Sequence, residues 1–212
     1  MAYYLKDLPF TEEGKKLKLS DEDRERFRLV YKKKDDQWVL HNIYEKGGEY
    51  GDDCIVVPLE STYKGNIELA PGTEFANVVG TSNDPKPGDI NTSWIAFWKC
   101  IYIATHYSYP PSWCCTDGMK YNNYGNNIVL HVEGATYGEL NGGHIILGRI
   151  ARQPYPGEIV YIVPICTGHN TMGNSFYMKT GHEATFAVAL SNVVTNIHNY
   201  LARHPLEAHE KI

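Results

Sequence analysis

No apolar run in these 212 residues approaches the length of a bilayer span. The longest, such as Ile145-Ile146-Leu147 and the stretch 159–165, fall far short of the ~20 residues a helix needs to cross. No membrane association is expected. Cysteine is sparse: five residues, Cys54, Cys100, Cys114, Cys115 and Cys166. An odd, scattered set of this kind reads as reduced thiols, not as a disulfide framework. The opening MAYYLKDLPFTEEGKK has Lys6 and no apolar core, unlike a signal peptide, so a cytoplasmic location is expected. Basic charge is also in short supply. Twenty Lys and Arg stand against 25 Asp and Glu, a formal net charge of −5. That argues against a surface built mainly to hold nucleic acid, though not against a local basic groove. There is no internal repeat and no low-complexity tract.

What is present is an ordinary globular composition, 42% hydrophobic and 21% charged, in a chain long enough for one good core. A single domain over 1–212 is expected, with a charged front portion (1–90) and an aromatic, Cys/His-bearing rear (91–212). Residues 1–60 hold eleven Lys/Arg and fourteen Asp/Glu, whereas 118–182 carries only four basic and three acidic residues. The rear segment is crowded instead with Gly, Asn, Tyr and His. Any chemistry is expected there.

Ser20-Asp21-Glu22-Asp23 predicts a helix start, with an N-capping hydroxyl and carboxylates where the helix dipole favours them. That helix is expected to run through Phe27 and Val30. Segments 37–44 and 54–59 predict short strands around a glycine-rich turn. Asn91-Thr92 opens a second helix, in which Trp94, Phe97, Trp98, Ile101 and Tyr102 share a core-packing face and Pro110-Pro111 forbid continuation. Segments 128–132, 144–150 and 159–165 are β-like, the last two joined by a hairpin-type turn. The stripe Phe186, Leu190, Val193, Val194, Ile197 and Leu201 predicts a long C-terminal helix over about 184–203. The fold class expected is therefore α+β, short antiparallel strands with a long C-terminal helix.

The residues that suggest chemistry begin at Gly142-Gly143-His144-Ile145 and end at Val163-Pro164-Ile165-Cys166-Thr167-Gly168-His169-Asn170. Cys166 and His169, three apart, can form half of a tetrahedral metal site, because a tight knuckle turns both side chains toward one ion. A second pair must come from elsewhere in the chain. The run GGHI, a β-turn-β excursion and VPICTGHN resembles HNH endonucleases and related treble-clef proteins over about residues 128–190. The resemblance implies a treble-clef or ββα-like rear half that cleaves phosphodiesters with a divalent metal. It implies His144 as general base, Asn170 as the residue orienting it, and Cys166 and His169 as structural metal ligands. His182 is the later His available as a further ligand. Zinc or another divalent cation is the implied cofactor, and nucleic acid the implied partner. Leu130 and Ala135 stand where the upstream ligand pair would fall, and Gly143 stands where an acidic residue often precedes the base. At a strand mouth, His144 is expected to contribute little to the core.

Three other readings compete. His131-Val132-Glu133 with Pro164-Ile165-Cys166 and His169 echoes the H-x-E and P-C-x-x-C pattern of zinc nucleobase deaminases. Cys114 or Cys115 with His144 offers a thiolate nucleophile and base. Finally, Tyr102, Tyr107, Tyr109, Tyr121, Tyr124 and Tyr137, interspersed with Asn, suit either a recognition surface of a non-catalytic binding protein or a hydrogen-bonded core.

Overall fold

Antiparallel strands build most of the computed structural model, which describes residues 27–35, 37–45, 54–58, 61–81, 93–124 and 126–193. Three strands, β1 (Phe27–Lys34), β2 (Gln37–Glu45) and β3 (Cys54–Pro58), form an antiparallel sheet in the order β2-β1-β3. The other eight are β4 (Thr62–Leu69), β5 (Glu74–Asn77), β6 (Met119–Asn122), β7 (Asn127–Val129), β8 (Leu140–Leu147), β9 (Val160–Cys166), β10 (Phe176–Lys179) and β11 (Thr185–Ser191). They make one sheet in the order β4-β11-β9-β8-β5-β10-β6-β7, with every strand pair antiparallel. Two helices complete the described residues, α1 (Trp94–His106) and the single turn α2 (Thr167–Asn170).

The α+β expectation is overturned: the described chain is predominantly β. The long C-terminal helix is absent where it can be checked, since 185–191 is a strand in the sheet interior. The reason is burial on both faces. All seven residues of β11 are buried, with Phe186, Val188 and Leu190 on one side and Ala187 on the other. A strand covered twice shows a continuous apolar run, which periodicity alone does not distinguish from a buried helix. The remainder of that expected helix, from 194 on, lies outside the described residues. The front helix is corrected in the same way. Phe27–Lys34 is the central strand of the small sheet, its Leu29, Val30 and Tyr31 buried; residues 20–26 lie outside the described residues.

α1 packs on one face of the large sheet. Ser93 caps it, its hydroxyl accepting from the Ala96 N–H at 3.3 Å, and Tyr107 ends it in the left-handed region with its N–H on the Ile103 carbonyl. Termination therefore precedes Pro110 by a full turn. Phe97 and Trp98 bury against Ile146, Val160, Ile162 and Val188, and the Trp98 indole N–H donates to the Phe186 carbonyl at 2.9 Å. Gly142 on β8 lets the helix approach: a Cβ there would lie 2.4 Å from the Trp94 carbonyl carbon. The opposite face collects Phe75, Ile145, Val163, Ile165 and Met178, together with Cys114, Cys115 and Cys166. Strands β8 and β9 alternate between these two cores, Ile145 and Ile165 on one side and Ile146 and Ile162 on the other. No helix of the described residues is long and apolar enough to cross a membrane.

Candidate metal centre

The hairpin β8–β9 runs antiparallel, with His144 opposite Ile162 and Leu140 opposite Cys166. At its open end the chain turns through α2, so Cys166 and His169 lie on one knuckle. Asn77 secures that knuckle, donating its amide to the His169 carbonyl at 2.8 Å. Two segments from elsewhere reach it. Cys114 is fixed by its N–H on the Ala135 carbonyl, and its neighbour Cys115 donates to the Pro164 carbonyl of β9. His131 arrives on a turn whose Leu130 and His131 N–H groups both donate to the Gly118 carbonyl. Gly118 has φ +83°, and a Cβ on it would lie 2.1 Å from the His131 carbonyl oxygen, so only glycine admits this approach.

The result is a group of four, Cys114, His131, Cys166 and His169, whose ligand atoms all lie within 4.8 Å of one another. This group could hold a metal ion. Three of the four are buried, and His131 is half-buried. The histidine tautomers are set from outside. His169 Nε2–H donates to the Met119 carbonyl at 3.0 Å, and His131 Nδ1–H donates to the Val132 carbonyl at 2.9 Å. Each ring therefore turns a bare nitrogen inward, as metal-ligating histidines do. Those nitrogens, His131 Nε2 and His169 Nδ1, face each other at 3.2 Å. His169 Nδ1 is 3.6 Å from Cys114 Sγ and 3.2 Å from Cys166 Sγ. A tetrahedral ion with ordinary zinc bond lengths would set N–N at about 3.3 Å and N–S at about 3.6 Å. The donors fit.

The thiols fit as well. The hydrogen bond between them holds Cys166 well below the usual thiol range and Cys114 well above it. The Cys166 backbone N–H also donates to Cys114 Sγ at 3.3 Å, which stabilises a thiolate there. Burial pushes the Cys115 thiol up, out of the range of a ready nucleophile.

The sequence-expected residues are distributed as follows. Cys166 and His169 belong to the group. His182 does not: its ring is exposed and paired through Nδ1 with Glu133, whose carboxylate also accepts the His182 N–H. His144 packs edge-on against Trp94, ring centroids 4.5 Å apart, and is only 6% exposed. Its role in the core is thus larger than a strand-mouth position suggested. Asn170 lies across the strand from it. A Cβ on Gly143 would meet Asn170 Oδ1 at 3.3 Å, and side-chain alternation puts His144 on the other face. The deaminase-like set His131, Cys166 and His169 is brought together, but Cys114 fills the fourth position that such an enzyme reserves for water. Of the four, Cys114 is the candidate ligand that no sequence reading names as one; His131 is named by the deaminase-like pattern.

No known family model matches the chain, and neither a curated protein nor a solved structure does.

Proposed function

We propose that this is a binding protein whose rear half is held by one structural zinc ion at Cys114, His131, Cys166 and His169. One observation carries the reading: two imidazole nitrogens and two thiols converge at tetrahedral spacings, a meeting of lone pairs that a cation between them would stabilise. An S₂N₂ tetrahedron favours zinc over harder divalent ions. Four protein ligands leave no position for water or substrate, which supports a structural role over a catalytic one. Exposed tyrosines support recognition. Tyr107, Tyr109, Tyr124 and Tyr137 all stand in solvent, flat apolar area with few rotors to order. The test is metal content of protein purified without added metal, with thermal melting before and after chelation. About one equivalent of zinc and a lower melting point on chelation are expected; metal-free protein with a chelator-indifferent melt overturns the reading.

A second reading, metal-dependent phosphodiester hydrolysis with His144 as base, is favoured by the order of the four candidate ligands, although Asn170 lies on the other face of the strand and would not orient it. Cys114 and His131 precede His144, and Cys166 and His169 follow the hairpin, which supplies the upstream pair the HNH resemblance lacked at Leu130 and Ala135. Zinc would again be structural, with a separate divalent ion needed beside His144. Plasmid cleavage in magnesium or manganese, lost in His144→Ala, would support it. Wild-type protein inert on DNA and RNA with zinc bound would remove it.

A further inference from the structure

Beside the metal centre, where the C-terminal turn of α1 meets the segments around 113 and 183, lies a cavity of about 670 Å³. That volume lies within the range of small-molecule sites. Its walls are aromatic: Tyr102, Trp113 and Phe186. Glu68, Glu133 and Glu183 line it together with His106 and His182, and among the described residues no Lys or Arg does. The carbonyl end of α1, the negative pole of the helix dipole, adds to the same potential.

Two lining groups have no partner within the described protein. Glu183 makes no hydrogen bond or ion pair, unlike Glu68, which meets His106, and Glu133, which meets His182. Trp113 is 41% exposed and stacks on no other ring. An unpaired carboxylate and an open indole face at the mouth of an electronegative, aromatic cavity are complementary to one kind of ligand. A cation whose charge is spread over methyl or methylene groups gains from the ring quadrupoles and the carboxylate at once, and loses little hydration.

We propose that this cavity binds an organic ammonium group, either of a free amine or of a lysine-type side chain. This rests on the reading of the protein as a binder, and it names the ligand class. Cys114 is shared between the cavity wall and the metal centre, so the metal-loaded protein is the species to test.

The experiment titrates choline, spermidine and a short peptide with a single trimethylated lysine against tryptophan fluorescence and by calorimetry. The neutral isostere of choline, 3,3-dimethylbutan-1-ol, is the control, and zinc is assayed on the same sample. Choline is expected to bind at least about fivefold more tightly than its isostere, the margin a cation–π contact gives. Trp113→Ala should weaken it by a similar factor, Trp113→Phe should restore most of the loss, and Glu183→Gln should weaken it without altering the melt. Preference for choline and spermidine assigns a small amine, and preference for the peptide a protein side chain. Equal binding of choline and its isostere, or no binding of any cation to zinc-loaded protein, overturns the proposal. Absence of zinc with choline binding intact would instead remove the structural-metal reading and leave the cavity assignment standing.

Discussion

Cys115 and Cys166 are both buried in the same apolar cluster, yet substitution should affect them differently. Cys166 is one of four convergent donors, so Cys166→Ser should lose the ion and cost more than about 3 kcal/mol, because ligand binding energy is folding energy in such a knuckle. Cys115 is not one of the four donors, and Cys115→Ser should cost about 1–3 kcal/mol for an ill-satisfied hydroxyl. Denaturant melts with zinc assays on both variants separate the two cases: equal losses, or zinc retained in Cys166→Ser, would contradict the assignment. His144 poses a third residue-scale question. Packed edge-on against Trp94 and shielded from water, it should cost about 2 kcal/mol on truncation to Ala, whether or not it has a chemical role. A melt unchanged by His144→Ala would show that the Trp94 contact is dispensable.

Among the elements, the turn at Gly118 and the connection from β8 to β9 carry separate predictions. Gly118→Ala places a methyl group on a left-handed residue against the His131 carbonyl, so the His131 turn must shift. Zinc affinity should fall at least about tenfold, read by competition with a chromogenic chelator, while the α1 core stays folded. In the β8–β9 connection, Arg152 grips Glu158 with two hydrogen bonds, and the Tyr155 N–H donates to the same carboxylate. Burial alone would raise Glu158, but these contacts outweigh it and hold the carboxyl below its usual range. A depressed carboxylate stabilises the fold above its unfolded pKa of about 4.3 and loses that contribution as pH falls through the lowered value. Glu158→Gln should therefore flatten the acid limb of the stability profile below about pH 4 and leave the neutral plateau nearly parallel to wild type.

The same elements show what could be read from sequence. The hairpin of β8 and β9 was legible, because Gly, Asn and Pro bracket two short apolar runs joined by a turn. The strands β2 and β3 were legible for the same reason. β11 was not, since both its faces are covered and Phe186 and Leu190 fall at helical spacing by coincidence. At the metal centre, the three-residue step from Cys166 to His169 is local geometry and visible. His131 was visible through the H-x-E pattern, whereas Cys114 is brought in by its bond to the Ala135 carbonyl, a tertiary fact without a spacing rule. His182 stood close in sequence but found Glu133 instead.

For the molecule as a whole, the four candidate ligands come from parts of the chain that are far apart in sequence. Cys114 and Cys166 are 52 residues apart. The proposed ion would bind the folded chain and not the unfolded one, so its binding free energy adds directly to folding free energy. With free ion about 1,000 times its dissociation constant, that is worth about 4 kcal/mol. In a chain of this size, such a loss on chelation should lower the melting temperature by about 8–16 °C. It should also speed unfolding, since with zinc bound the ion must leave before the site can open. A stopped-flow comparison with and without zinc would show it. Metal supply would then set how much of the chain is folded, and a cell short of zinc would hold less of this protein at constant synthesis.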